Sequence, residues 1–284
     1  MNKITDTNWT LEIRPRAGWL DINLAEIWRY RDLILLLVRR DFVSIYKQTI
    51  LGPVWFFLQP LFTTIVFTVV FGNIAQIPTD GIPQILFYMA GIVAWTYFAN
   101  CMTKTSNTFI ENAGIFGKVY FPRLVVPISV VITNLLTFFI QFSLFLIFLG
   151  YYILVGSSVK LTLWIIVIPL LLIQMAALGL GMGILISSLT TKYRDLIFAV
   201  GFGVQLWMYA TPIVYPLSQI PEKWQWIFAL NPMTAIVEVF RYAFLGSGAI
   251  RPWVWEMSII MTVIILIFGI LLFNKVEKTF MDTV

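Results

Sequence analysis

The pattern of apolar and polar positions changes character near residue 48. Before it, at 100° per residue, Leu24, Ile27, Trp28, Ile34, Leu35, Val38, Phe42, Ile45 and Tyr46 gather on one helical face. Glu26, Arg29, Asp32, Arg39, Arg40 and Lys47 gather on the other, and Arg31 alone breaks the pattern. A helix with a wide apolar face, a Trp at its edge and a basic back suits the membrane interface. The competing reading, a helix of a small soluble domain, has only about 20 residues upstream from which to build a core. After residue 48 the polar face disappears and long apolar runs separated by isolated charges take over. The chain therefore divides into a segment 1–48, carrying the interfacial helix, and a domain 49–284.

Crossing a bilayer core takes about 20 mostly apolar helical residues. The gaps between successive charged residues supply six such stretches, near 50–73, 82–103, 125–150, 161–188, 196–217 and 253–274. Between the fifth and sixth, residues 218–250 are apolar but interrupted at Asn231 and Pro232, an N-cap followed by a first-turn proline. A fresh helix starts there and can run to Leu245 before Gly246, so two short re-entrant helices are expected. Glu238 and Arg241 lie one turn apart on the second of them and can pair. An external cap and a gate are both compatible with this segment. The expected fold class is all-α integral membrane: an N-terminal amphipathic interfacial helix, six transmembrane helices, and short re-entrant helices between spans 5 and 6.

The composition agrees, since 60% of the 284 residues are hydrophobic and 12% charged, where soluble domains carry about 25% charged residues. Basic residues fix the expected orientation. Eight lie before span 1, three after span 2 (Lys104, Lys118, Arg123), two after span 4 (Lys192, Arg194) and two in the tail (Lys275, Lys278). The opposite side holds only Lys160, Lys223, Arg241 and Arg251. Both termini are therefore expected in the cytoplasm, and the polar N-terminus gives no sign of a cleaved signal.

Several chemistries have no residues to support them. The chain has no His and one Cys, Cys101, which leaves neither a disulfide framework nor a Cys/His zinc site. Apart from Glu256 in the first turn of the last, no Asp, Glu, His, Lys or Arg falls inside the six expected spans, where ion-coupled transporters and intramembrane proteases keep theirs. A phosphate-binding loop is missing too, because Lys118 is followed by Val119 and the position of the required first Gly is Asn112. Any active pumping must draw its energy from another subunit. Gly179, Gly181 and Gly183 lie in a continuous apolar run, which reads as close helix packing and not as a dinucleotide loop.

The spans are instead rich in aromatic residues. Many of the tryptophans sit at the expected membrane boundaries, as belts do. Phe67 and Phe71 in span 1, Trp95 and Tyr97 in span 2, and Trp207, Tyr209 and Tyr215 in span 5 lie elsewhere. Such side chains can stack on sugar rings and conduct a polar polymer, or they can pack between helices or face lipid. Span 5 adds Gly201, Gly203, Gln205, Thr211, Pro212 and Pro216, polarity and backbone breaks for which a lipid-facing helix has little use.

Four stretches together resemble the permeases of ABC-2 type ABC transporters, in particular those exporting O-antigen, capsule or teichoic-acid polysaccharides. They are LVRRDF from Leu37 to Phe42 with Tyr46, Lys47, Leu51 and Gly52; Gln59, Pro60 and Leu61 with Val66, Phe67, Val70, Phe71 and Gly72; KVYFPR from Lys118 to Arg123; and Tyr193, Arg194 and Asp195 followed by TPIVYP from Thr211 to Pro216 and by Leu230 to Met233. The resemblance implies two copies of this chain with two copies of a cytoplasmic ABC ATPase, which carries the ATP and Mg²⁺; no cofactor belongs to this chain. It implies a place in the bacterial cytoplasmic (inner) membrane, among membrane lipids and with no nucleic-acid partner, and an undecaprenyl-diphosphate-linked glycan as cargo. Spans 1 and 5 would lie near the pathway. Asn112, Lys118, Lys192, Arg194 and Asp195 would face the ATPase, and Arg39, Arg40, Lys47, Lys118 and Arg123 would form a cationic entrance for the lipid diphosphate. Setting topology and contacting anionic lipid account equally well for those charges. Exporters of drugs or lipids share the motifs, and a membrane-embedded transferase or a scaffold of glycan synthesis is the non-transport alternative.

Overall fold

The computed structural model describes residues 24–47, 49–116, 118–119, 121–190, 193, 195–248 and 251–283, and every regular element among them is helical. The first amphipathic stretch is two helices, Leu24–Arg29 (α1) and Arg31–Tyr46 (α2), where one was expected. Tyr30 leaves helical geometry at φ −90°, ψ 17°, and its N–H bonds the Ile27 carbonyl at 3.0 Å in a tightened turn. On α2, Ile34, Leu37 and Val38 are buried while Leu35 and Leu36 are both 62% exposed. The face packed within the chain is thus narrower than the periodicity suggests, and Leu35 lies outside it.

Five stretches are long and apolar enough to span a bilayer: Gly52–Ile74, Gln84–Ser106 (α4), Val125–Leu154 (α6), Leu163–Thr190 and Pro252–Val276. The first contains α3 (Trp55–Phe67), which carries Pro60 in its interior and widens into a π-helical turn at Thr68–Ile74. Thr64 and Thr68 donate their hydroxyls to the carbonyls four residues back, at 2.7 and 2.8 Å. The fourth contains α7 (Ile168–Thr190), and the last lies within α11 (Pro252–Thr283). A sixth span exists if Glu222–Ala229 (α9) and Pro232–Leu245 (α10), bent by 104°, are taken as one.

The helix expected at 196–217 is shorter than that range. Leu196–Ala210 (α8) has 15 residues, about 22 Å at 1.5 Å per residue. It stops because Thr211 is extended (φ −99°, ψ 142°). Pro212 follows, and a residue before proline is driven out of helical geometry.

α4 is the central helix, packed against α3, α6, α7, α8 and α10. Of its most apolar stretch 78% is buried, against 17% for Gly52–Ile74, so α3 lies at the margin of the chain. The three glycines of α7 are contact points. A Cβ on Gly179 would sit 2.7 Å from the Cys101 Cβ, one on Gly181 2.8 Å from the Leu266 Cα, and one on Gly183 2.8 Å from the Thr105 Cγ2. Small residues let α7 press against α4 and α11 at once, which is the close packing expected of them. A second apolar cluster, at the α2 end, joins Ile34, Leu37 and Val38 to Phe109 and Phe116 of α5 (Thr108–Phe116), to Phe121 and Leu124, and to Phe273 of α11.

Candidate functional site

The aromatic residues singled out in the sequence separate into two groups. Phe67, Trp95 and Tyr97 are buried inside the chain. Trp95 meets Trp207 edge-on with ring centroids 6.0 Å apart, Trp207 also packs on Phe98 at 5.1 Å, and Tyr97 turns to Phe138 at 5.4 Å. Phe71 covers Phe67 at 5.3 Å. Tyr209 is 49% exposed, and Tyr215 donates its hydroxyl to the Tyr209 carbonyl at 2.9 Å. What lies on the surface of α8 is a row the aromatic motif had not included: Phe198, Phe202 and Leu206, 83%, 64% and 54% exposed, beside Gly201, Gly203 and Gln205. Phe62 and Val66 of α3 and Val69 of the π-helical turn after it are exposed as well. α4 lies beneath both helices.

At the end of α8 the chain forms a junction built on polar groups. Asn231 caps α10 as expected, accepting the Met233 N–H at 3.1 Å, with Pro232 in the first turn. Its amide also donates to the Thr211 hydroxyl at 2.8 Å, and Thr211 in turn donates to the Trp207 carbonyl at 2.8 Å. The start of α10 is thereby tied to the stop of α8. Arg241, three turns along α10 and 2% exposed, completes the junction. Its Nη2 donates to the Ile213 carbonyl at 2.6 Å, its Nη1 to the Pro212 carbonyl, and its Nε to the Phe87 carbonyl at 3.3 Å. The guanidinium carbon lies 3.7 Å from the centre of the Phe87 ring. Gly91 makes room for it, since a Cβ there would meet Nη2 at 2.8 Å.

The expected Glu238–Arg241 pair is present at 3.7 Å, too long for a hydrogen bond. The larger task of Arg241 is to satisfy the carbonyls that the TPIVYP break frees from helical bonding. That role was missed because i,i+3 spacing exposes pairing on one helix, whereas carbonyl partners on other segments leave no trace in side-chain pattern. Beside the junction, a cavity of about 450 Å³ is lined by Asp80, Ser218, Glu222, Gln225, Glu238 and Arg251 among others.

At the opposite end of the spans lie the residues expected to form the cationic entrance and the coupling surface. Arg39 and Arg40 project from α2, and Lys47 follows its last turn. Arg40 is held by Asp41, with Nη2 at 2.7 Å and Nε at 2.8 Å from the same carboxylate oxygen. Lys118 is exposed, and Arg123 lies over the Phe116 ring at 5.6 Å. Asn112 is buried and donates to the Thr108 carbonyl at 3.0 Å. Asp195 is exposed at the start of α8, while Lys192 and Arg194 fall outside the described residues. One residue of this end had no assigned role: Lys104, near the end of α4, donates to the Asn134 carbonyl oxygen at 3.1 Å. It lines a cavity of about 410 Å³ with Arg40, Asp41, Glu111, Asn112 and Asn134.

No group of three or more acidic, His or Cys side chains among the described residues is arranged to hold a metal ion. The junction braces backbone, whereas the outer faces of α3 and α8 are left uncovered by this chain.

Comparison with known proteins identifies the family. The profile of the family described as "ABC-2 type transporter" matches residues 32–245, from α2 to the end of α10. An "O-antigen export system permease protein RfbA" of Klebsiella pneumoniae is 30% identical over 254 residues, 88% of this chain and 94% of that protein. The protein of the same description from Myxococcus xanthus is 28% identical over 224 residues, covering 78% of this chain and 83% of its own length. The "Capsule polysaccharide export inner-membrane protein CtrC" of Neisseria meningitidis is more distant, 20% identical over 258 residues, with 87% and 92% covered. With its profile matched over most of the chain and its relatives aligned almost end to end, the protein belongs to the ABC-2 type transporter family.

Proposed function

We propose that this chain is the transmembrane permease subunit of an ABC exporter that moves a lipid-linked polysaccharide out of the bacterial cytoplasm. A separate ATPase subunit binds the ATP and Mg²⁺ and supplies the energy. Two copies of the chain bring their α3 and α8 faces together, and the cargo passes between them. Both termini lie in the cytoplasm, so α2, α5 and the start of α8 meet the ATPase. The undecaprenyl-diphosphate end of the cargo is drawn to the basic residues of α2 and of the segment after α5.

The observation that carries this reading is the surface of α8. Phe198, Phe202, Leu206 and Tyr209 stand exposed on one short helix, interleaved with Gly201, Gly203 and Gln205. Lipid needs no polar amide or bare backbone on a helix it covers. A carbohydrate chain moving past a second protomer has use for aromatic faces, a hydrogen-bonding amide and close backbone approach. The names of the relatives, which export O-antigen or capsule polysaccharide, point the same way.

The test uses the full chain with its ATPase in proteoliposomes, in Tyr209→Ala and Phe198→Ala forms, both at exposed positions of α8. Loss of an aromatic–sugar contact worth about 0.5–1.5 kcal/mol lowers ATPase stimulation by lipid-linked glycan roughly 2- to 10-fold. Export in cells falls with it. If both variants export and respond to glycan as the parent does, α8 does not conduct the cargo. Stimulation by a broad set of small compounds and none by glycan would reassign the cargo to small molecules.

A further inference from the structure

The cavity between α2, α4, α5 and α6 is not accounted for by transport through the α3 and α8 faces. Its lining is divided by chemistry. Val126, Val130 and Ile115 form an apolar wall, while Arg40, Asp41, Lys104 and Glu111 supply four charges that sum to zero. Two of those charges are already paired, because Arg40 Nη2 and Nε both contact one Asp41 carboxylate oxygen, at 2.7 and 2.8 Å. Lys104 and Glu111 remain, and neither has an ion-pair partner among the described residues.

The amine of Lys104 is positioned, not loose. It donates to Asn134, a side chain that is 2% exposed and whose own amide is fixed to the Val130 carbonyl at 2.8 Å. An ammonium has three N–H donors, so two are left to face the cavity. Thr133 and Asn112 complete the floor, 3% and 9% exposed. At about 410 Å³ the space falls within the range of roughly 300–1,000 Å³ typical of small-ligand sites.

We infer that this cavity binds a zwitterionic phospholipid headgroup, with the phosphate on Lys104 and the ammonium on Glu111. One fixed cation and one free anion on the walls match one phosphate and one amine on the ligand. A diphosphate would leave Glu111 opposed to added negative charge, so the cargo's diphosphate is not the expected ligand here even though Arg40 borders both this cavity and the cationic entrance. Val126, Val130 and Ile115 give the cavity an apolar side, against which the start of an acyl chain can lie. Phosphatidylethanolamine is the headgroup with both required charges and an amine small enough to donate hydrogen bonds to a carboxylate. The site belongs to the chain irrespective of what the transporter exports.

Native mass spectrometry of the purified full chain, delipidated and then offered lipids singly, tests this. The expected result is one phosphatidylethanolamine retained per chain about tenfold better than phosphatidylglycerol, the factor that one charge-assisted contact supports. Lys104→Gln removes the preference and Lys104→Arg keeps most of it. Glu111→Gln brings phosphatidylethanolamine down to the level of phosphatidylcholine. Soluble phosphoethanolamine competing at equal concentration would assign the site to a free phosphate compound and overturn the lipid. Equal retention of the three lipids by the parent, no change in Lys104→Gln, or preferred retention of a polyprenyl diphosphate would each overturn the proposal.

Discussion

α8 and α10 are two apolar helices of nearly the same length, 15 and 14 residues, that meet at one junction and end in opposite environments. α10 is buried along almost its whole length and carries two charges. α8 carries none and buries only Val204. Hydrophobicity therefore does not decide which helix becomes core. In a membrane, lipid covers an apolar face as well as protein does, and burial follows from packing and hydrogen bonding instead. α10 is held by α4, α7 and α11 around it and by Asn231 and Arg241 at its polar contacts. α8 touches α4 and α7 lightly and has an outer face that this chain does not cover.

The sharpest way to break that contrast is to take away the guanidinium. Arg241→Ala leaves the Pro212 and Ile213 carbonyls without their donor and Glu238 buried with only the more distant Arg251 as counter-charge. Breaking a buried charge pair costs about 3–5 kcal/mol, enough to unfold many proteins of ordinary stability. The expected outcome is a strongly lowered thermal midpoint for the purified chain, or no recoverable folded protein. Arg241→Lys separates charge from geometry: it keeps the cation but lacks the planar fork that reaches several carbonyls at once. It should recover only part of the loss. A thermal midpoint for Arg241→Ala equal to the parent's would mean that water or lipid satisfies the break, and that α10 is held by packing alone.

A smaller effect is expected at Asn231, where two contacts of one side chain can be told apart. Asn231→Ala removes the cap of α10, worth about 1 kcal/mol, together with the hydrogen bond to Thr211. Asn231→Asp keeps the capping oxygen and loses only the amide that donates to Thr211. If the tie between the two helices matters, Asp falls between Ala and Asn in thermal midpoint. If Asp equals Asn, the cap is the whole contribution.

Much of this architecture was legible in the sequence, for reasons tied to particular residues. The Asn231–Pro232 start and the Gly246 stop of α10 are local backbone chemistry, and the structure places both, with Gly246 at φ 70°. The long spans followed from the spacing of charges. The α7 glycines read as contact points because an apolar run gives bare backbone no other use. What was not legible depends on distant neighbours. Pro212 announced a break in span 5, yet the apolar residues beyond it continued the run, and hydropathy alone could not end the helix at Ala210. The Tyr30 break has no Gly or Pro to mark it. For Trp95 and Tyr97 the sequence left cargo stacking, helix packing and lipid contact open, and α6, α7 and α8 pack around α4 and bury them. Lys104 looked like a topological charge, and only its bond to Asn134, thirty residues away, gives it a fixed position.

The least change in stability is expected from Phe202→Ala on α8, and the comparison with α10 is most informative there. Phe202 is 64% exposed, so its removal from a single chain opens no internal cavity and should shift stability by no more than about 0.5 kcal/mol. Self-association is the quantity that should move. If a second copy covers the α8 face, truncating a large aromatic at its centre removes a contact of the kind that dominates interfaces, about 2 kcal/mol or more, or roughly 30-fold in dimer dissociation. Dimer content measured by dilution in detergent would then fall while the thermal midpoint stays put. Unchanged dimer content would return this face to lipid. Buried α10 and exposed α8 would then differ by how completely one chain surrounds them, and not by what a second chain supplies.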